Sequence, residues 1–398
     1  MANDIPHSAD DIPAFKEQLQ RCLEGFSSEW SDSRDNDLMQ RTRLARKDFP
    51  VPELLLFALR NGLGWRWMGH GEKVRWTVIG QVGGEPIAFE LQKFGLRMLR
   101  PAGEHAFDDQ RVIGQLRGAI QITEKFLKPL TEHQIQHGEL VIANRFGEFS
   151  SRYLFFREKA DVAFRQAKRK RRQPKNRPEA NGIEGLGSML CAVLNHGMKQ
   201  KQEGFFYSVA MVDCYFSAIE HRLALLRAFT GEPMSEGGFR EFISMSWDKK
   251  LAEILGQKQS NKIRETIRDL RRIKERIRNP FAHGGFENDK GALQVFIPTV
   301  GMLPANFTKY GESARFSLFP VEDQDHAECC NTFDEVDKLL SSDHLAGPHR
   351  ILEAGVDPCY DRKSLSLYLT TISGGDDSIE AFIEYWGHIY EREANMDY

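Results

Sequence analysis

Arg278 and His283 stand five residues apart in the stretch RRIKERIRNPFAHGGF, 271–286, and they are residue types that can together cleave a phosphodiester. A histidine titrates near neutrality. It can take a proton from a ribose 2′-hydroxyl or give one to the leaving 5′-oxygen, a contribution of about 10²–10⁴ in rate. An arginine stays charged and holds a phosphoryl oxygen through two hydrogen bonds while negative charge builds. RNA supplies its own nucleophile in such a scheme, so neither a metal nor another cofactor is expected. The plain alternative is a solvated basic helix ending at a Pro/Gly turn, with His283 an ordinary turn residue.

These residues must be positioned by what precedes them. Ile263, Ile267, Leu270, Ile273 (or Lys274) and Ile277 recur near a 3.6 period and mark a narrow apolar stripe on a helix otherwise covered by Arg and Lys. Pro280 lacks an amide hydrogen and disfavours helix at Asn279, so the helix should stop or kink there. Asn279 then suits an N-cap and Pro280 the first position of a new short turn. That arrangement would put Arg278 and His283 around a helix N-terminus, where free amides already favour an anion.

Further helices are predicted before the motif, at GSMLCAVLNHGMKQ, at GFFYSVAMVDCYFSAIEHRLALLRAF and at GFREFISMSWDKKLAEILG. Short strands follow it, ALQVFIPTVGMLP and ARFSLFPV, and then a helix, DQDHAECCNTFDEVDKLL. RNPFAH, Arg278 to His283, resembles the Arg-Asn-x-x-x-His form of the signature of the HEPN superfamily, and the helices at 185–342 are similar in order to that family's small helical domain. The resemblance implies a metal-independent RNA endonuclease acting as a homodimer, with the Arg and His of both subunits facing a shared cleft. It implies phosphate binding for Arg278, proton transfer for His283 and an orienting role for Asn279. It also implies a polar residue from an earlier helix beside the site. Glu220 is the candidate, ahead of His221 and Asp213, and its plain alternative is an exposed helix glutamate. The inserted strands and the flanking segments depart from a minimal domain of that family.

The remainder of the chain sets bounds. Its 398 residues suggest two or three domains, and 41% apolar with 28% charged residues is ordinary for a globular protein. Six scattered cysteines (Cys22, Cys191, Cys214, Cys329, Cys330, Cys359) form no C-x-x-C pair and no metal-ligand spacing, which fits reduced thiols in a cytoplasm. No apolar run approaches the roughly 20 residues of a membrane span. A net charge of −3 gives no overall cationic field, so any polyanion site must be local.

One such local run is RQAKRKRRQPKNRP, 165–178, with eight Lys/Arg and no acid. It reads equally as a phosphate-contacting arm using Arg169, Arg171 and Arg172 and as a solvated helix end with a linker. On this reading the chain divides into an N-terminal α+β domain (1–164), a basic linker (165–182), a HEPN-like helical domain (183–342) and a C-terminal helical extension (343–398). The fold class is mainly α, with strands near 73–82, 85–92 and 95–100 and a small inserted β element. Trp65, Trp67 and His70 read as the start of a strand packing its indoles rather than as a ligand surface. The expected function is an RNA endonuclease of toxin or antiphage-defence type, partnered by RNA, a second copy and an antitoxin or regulatory ligand. The alternative is a non-catalytic nucleotide- or RNA-binding or dimerisation module, with a transcription-factor-like binder a weaker third.

Overall fold

β-Branched and aromatic residues between Val74 and Arg100 alternate around two tight turns, and the computed structural model folds them as that pattern predicts. It describes residues 11–29, 40–103, 107–168, 183–230, 234–256, 261–279, 293–307, 314–316 and 319–396. The described chain is mainly helical, with two antiparallel sheets, and none of its helices is long and apolar enough to cross a membrane. It divides into two compact units. One comprises Met1–Glu139, Met234–Arg240 and Ala381–Tyr398, and the other Leu140–Pro233 and Glu241–Glu380.

The first unit contains a six-stranded sheet made of β1 (Phe26–Ser27), β2 (Gln40–Arg43), β3 (Arg66–Met68), β4 (Val74–Val82), β5 (Glu85–Gln92) and β6 (Gly95–Arg100). The order is β1-β4-β5-β6-β2, with β3 also paired to β4. Gly83 and Gly84 turn the β4–β5 hairpin at φ +60° and +83°, where a side chain would be strained. Val78, Ile87, Phe89 and Met98 line one face of the sheet. They pack against α1 (Asp11–Cys22), α2 (Pro52–Phe57) and α3 (Asp109–Gln136), through Phe15, Leu19, Leu55 and Leu116. Each such side chain contributes about 1.5–3 kcal/mol by leaving water. Asp108 caps α3 by accepting from the amides of Gln110 and Arg111. Trp65 is in this core, but Trp67 is 41% exposed and lies under the Arg60 guanidinium.

The second unit is built on α4 (Phe146–Lys168) and the 44-residue α5 (Ile183–Leu226). α6 (Gly238–Ser244) overlaps the boundary between the two ranges, and α7 (Trp247–Leu255) and α8 (Asn261–Ile273) follow. Then come the three-stranded sheet of β7 (Leu293–Ile297), β8 (Gly301–Phe307) and β9 (Ala314–Phe316), and α9 (Asp323–Leu339). α10 (Ala346–Glu353) and α11 (Arg362–Ser373) end in the same unit, and α12 (Asp376–Asn395) closes the chain.

The division differs from the sequence-based boundary at 164. α4 packs within the second unit, because Tyr153 meets Tyr215 edge-on and Arg157 makes a two-point ion pair with Asp334 at 2.5 and 2.7 Å. The basic run begins as the last turn of α4, and the rest of the linker expected at 165–182 lies outside the described residues.

Candidate functional site

The narrow apolar stripe runs along α8 and on into the turn after it, burying Leu270 in the first and Ile277 in the second, and the helix changes character between them. Lys274–Arg278 form a π-helical turn, and Asn279 remains helical at φ −62° and ψ −46°. Asn279 is therefore not an N-cap. The turn is wide, with the Asn279 amide donating to the Lys274 carbonyl in i→i+5 fashion, and the helix carries on through the residue before the proline.

The π turn lays Arg278 on α5. Asp213, Phe216 and Glu220 follow one another at i, i+3 and i+7, so they share a face of that helix. Arg278 Nε donates to Asp213 Oδ1 at 3.2 Å and its Nη1 donates to Glu220 Oε1 at 3.3 Å. The guanidinium carbon stands 5.2 Å from the centre of the Phe216 ring. Phe216 is fully buried and packs edge-on against Trp247. Below the charges, then, lies a rigid aromatic bed, whereas the carboxylates themselves are partly solvated.

A guanidinium has five N–H donors. Two are used here, and Nη2 makes no hydrogen bond among the described residues. The arrangement can therefore hold an anion through Nη2 while the carboxylates fix the plane of the group. Two carboxylates beside one arginine would by themselves repel a phosphate. Lys250 offsets this: it is buried, donates to the Ile243 carbonyl at 2.7 Å, and interacts with Glu220. Burial lowers the Lys250 pKa, and attraction to Glu220 opposes the shift.

Of the residues expected from sequence, the fold brings Arg278, Glu220 and Asp213 together. His221 turns away. Its Nε2 accepts the amide of Arg145 at 3.0 Å ahead of α4, its ring packs on Phe149, and burial lowers its pKa. His283, Arg169, Arg171 and Arg172 lie outside the described residues. Sequence reasoning missed Phe216 and Lys250. The first was signalled by the D-x-x-F-x-x-x-E spacing on one helix face, and the second by no pattern at all.

A second polar cluster has the composition of a hydrolase triad. His326 Nε2 meets Asp161 Oδ1 at 2.9 Å and its Nδ1 meets Ser208 Oγ at 3.0 Å. Ser208 is 1% exposed and sits mid-helix, so its hydroxyl reaches no substrate. The cluster ties α4, α5 and α9 together instead. Among the described residues no group of three His, Cys, Asp or Glu side chains is placed to hold a metal ion.

No protein-family model, no curated protein and no solved structure matches this chain.

Proposed function

We propose that the second unit is a metal-independent RNA endonuclease of the HEPN type, serving as a toxin or in antiphage defence. The observation that supports this reading is Arg278 held on Asp213 and Glu220 with Nη2 uncommitted among the described residues, five positions before His283 in the sequence. In the reaction His283 takes the proton of the ribose 2′-hydroxyl and the O2′ attacks the adjacent phosphorus. The P–O5′ bond breaks, and the 5′-oxygen leaves with the proton that the His283 imidazolium gives back. The products are a 2′,3′-cyclic phosphate and a 5′-hydroxyl, and Arg278 stabilises the charge that gathers on the phosphoryl oxygens.

Single-stranded RNA incubated with the chain in EDTA tests this. Cleavage to cyclic-phosphate ends is expected, with a loss of at least about 10²-fold in His283→Ala. A fully active His283→Ala protein sinks the reading. So does cleavage abolished by EDTA.

The reading extends to a homodimer with a composite site. Arg278→Ala and His283→Ala, each inactive alone, should on mixing recover up to about half the wild-type activity per mixed dimer, if each site takes its Arg from one chain and its His from the other.

The same ion pairs favour a second reading, a non-catalytic nucleotide- or RNA-binding or dimerisation module in which Arg278 buttresses the helix. RNA bound without being cut, with affinity unchanged in His283→Ala, is its signature.

A further inference from the structure

The first unit contains a cleft of about 680 Å³ between the β5–β6 turn, the segment following β2 and residues Glu393–Met396. Small-molecule sites occupy about 300–1,000 Å³. Its floor is rigid because Leu44, Phe49, Leu91 and Leu96 belong to the unit's core. Leu44 also extends the β2–β6 ladder by donating its amide to the Leu96 carbonyl at 3.0 Å. Pro50 and Pro52 add apolar wall. At the tip of the hairpin Phe94 is 71% exposed, and no other large apolar side chain described is more so.

The polar lining is one-sided. Arg43, Arg46, Arg75 and Lys93 face the cleft against a single carboxylate, Glu393. Arg75 is committed, lying 3.8 Å from Glu53 and 3.4 Å from Glu393, and Lys93 Nζ donates to Asn395 Oδ1 at 3.0 Å. Arg43 and Arg46 are exposed, and neither is paired with a carboxylate among the described residues. In a chain of net charge −3 this is a local concentration of positive charge, set against low-dielectric walls that focus its field.

We propose that this cleft binds a nucleoside phosphate, with Arg43, Arg46 and Lys93 on the phosphates and the base on the apolar floor against Phe94. Inorganic phosphate would leave the floor and the phenyl ring unused, and an uncharged apolar molecule would leave the two arginines unused. A planar base joined to phosphates uses both halves. Arginine pairs with phosphoryl oxygens in its two-pronged geometry, and aromatic rings stack on bases of any identity. The site belongs to the first unit and does not rest on the ribonuclease reading.

The test is calorimetric titration of the whole chain with ATP, inorganic triphosphate and adenosine at physiological salt. ATP is expected to bind about tenfold or more tighter than triphosphate and about 100-fold tighter than adenosine. Arg43→Ala and Arg46→Ala should each weaken ATP about tenfold or more. Phe94→Ala should weaken ATP and leave triphosphate unchanged. Arg41→Ala, exposed on β2 but outside the cleft lining, should change nothing. All four side chains are exposed or partly so, and thermal melts of each variant verify the fold. Absence of ATP binding at millimolar concentration overturns the proposal. So does equal affinity for triphosphate and ATP, or ATP affinity unmoved in both Arg43→Ala and Arg46→Ala.

Discussion

Arg278 reaches back 65 positions along the chain to donate from Nε to Asp213 Oδ1 at 3.2 Å. With Glu220 on Nη1 the guanidinium is held at two points, so its plane is fixed before any ligand arrives.

Fixing a plane differs from stabilising a fold, and the two separate by experiment. The carboxylates are 58% and 41% exposed, so screening limits each pair to about 0–1 kcal/mol of stability. A double-mutant cycle on Arg278 and Glu220 by urea denaturation should return a coupling in that range. If the ribonuclease proposal holds, Glu220→Gln should lower kcat about tenfold with KM within about twofold, because a guanidinium whose plane is no longer held loses its contact with the charge that builds on the phosphoryl oxygens in the transition state. An equal rise in KM with kcat unchanged would instead make Glu220 a binding residue.

Acid should weaken the second unit through His326. Burial is the largest influence on this side chain and lowers its pKa below 6.5, against the attraction of Asp161. The unfolded chain therefore takes up its proton at higher pH than the folded one. Stability is lost as pH falls through 6.5 and levels off below the folded value, with a slope of up to about 1.4 kcal/mol per pH unit. Denaturant midpoints between pH 7 and 5 should show this fall, and His326→Gln should flatten it. His221 and His349, also lowered chiefly by burial, retain part of the slope.

Cys329 and Cys330 should behave as inert core thiols. Burial pushes Cys330 up to about 11 and Cys329 further still, so neither supplies thiolate at pH 8. A chromogenic disulfide reagent should label them only as the protein unfolds, after Cys22 and Cys359, which are half-buried. Rapid labelling of the adjacent pair in the native protein would contradict this.

Two glycines in α5 should respond with opposite signs. A Cβ on Gly204 would stand 2.7–2.9 Å from three ring carbons of the buried Phe164, and overpacking there costs about 1–3 kcal/mol. At Gly197 the nearest atom is the Ala167 carbonyl oxygen at 3.9 Å, so alanine brings its helix preference, up to about 1 kcal/mol, without a clash. Thermal melts of Gly204→Ala and Gly197→Ala check the contrast.

That contrast also explains what the sequence concealed. The strands at 74–82, 85–92 and 95–100 were legible because alternation and a Gly-Gly turn act locally. The long α5 was not, because it was read as two helices, one ending at Gln200 and the next beginning at Gly204. At Gly204 the missing side chain instead makes room for the ring of Phe164, a contact with a residue 40 positions away. The place of α4 was hidden for the same reason, since the partners of Tyr153 and Arg157 lie far along the chain. The edge strands Phe26–Ser27 and Gln40–Arg43 are short and mostly polar, and only pairing with β4 and β6 makes them strands. At the candidate site the motif and both carboxylates were legible as residue types. Their meeting was not, because the π turn that aims Arg278 has no local signature.

That π turn makes the site sensitive to chain length as well as to residue identity. An α-helix advances about 100° per residue. The π turn holds one residue more than the α-helix it replaces, so deleting one residue between Lys274 and Ile277 would relax it to regular helix with Arg278 still aimed near Asp213 and Glu220, whereas one added residue would swing Arg278 about 100° away while the upstream stripe stays packed. Among diverged copies of this protein, a one-residue insertion within these four positions would mark a lineage that has let go of the arginine's aim while keeping the fold, even where the letters R-N-P-F-A-H survive, and a one-residue deletion would mark one that has kept the aim on a plain α-helix.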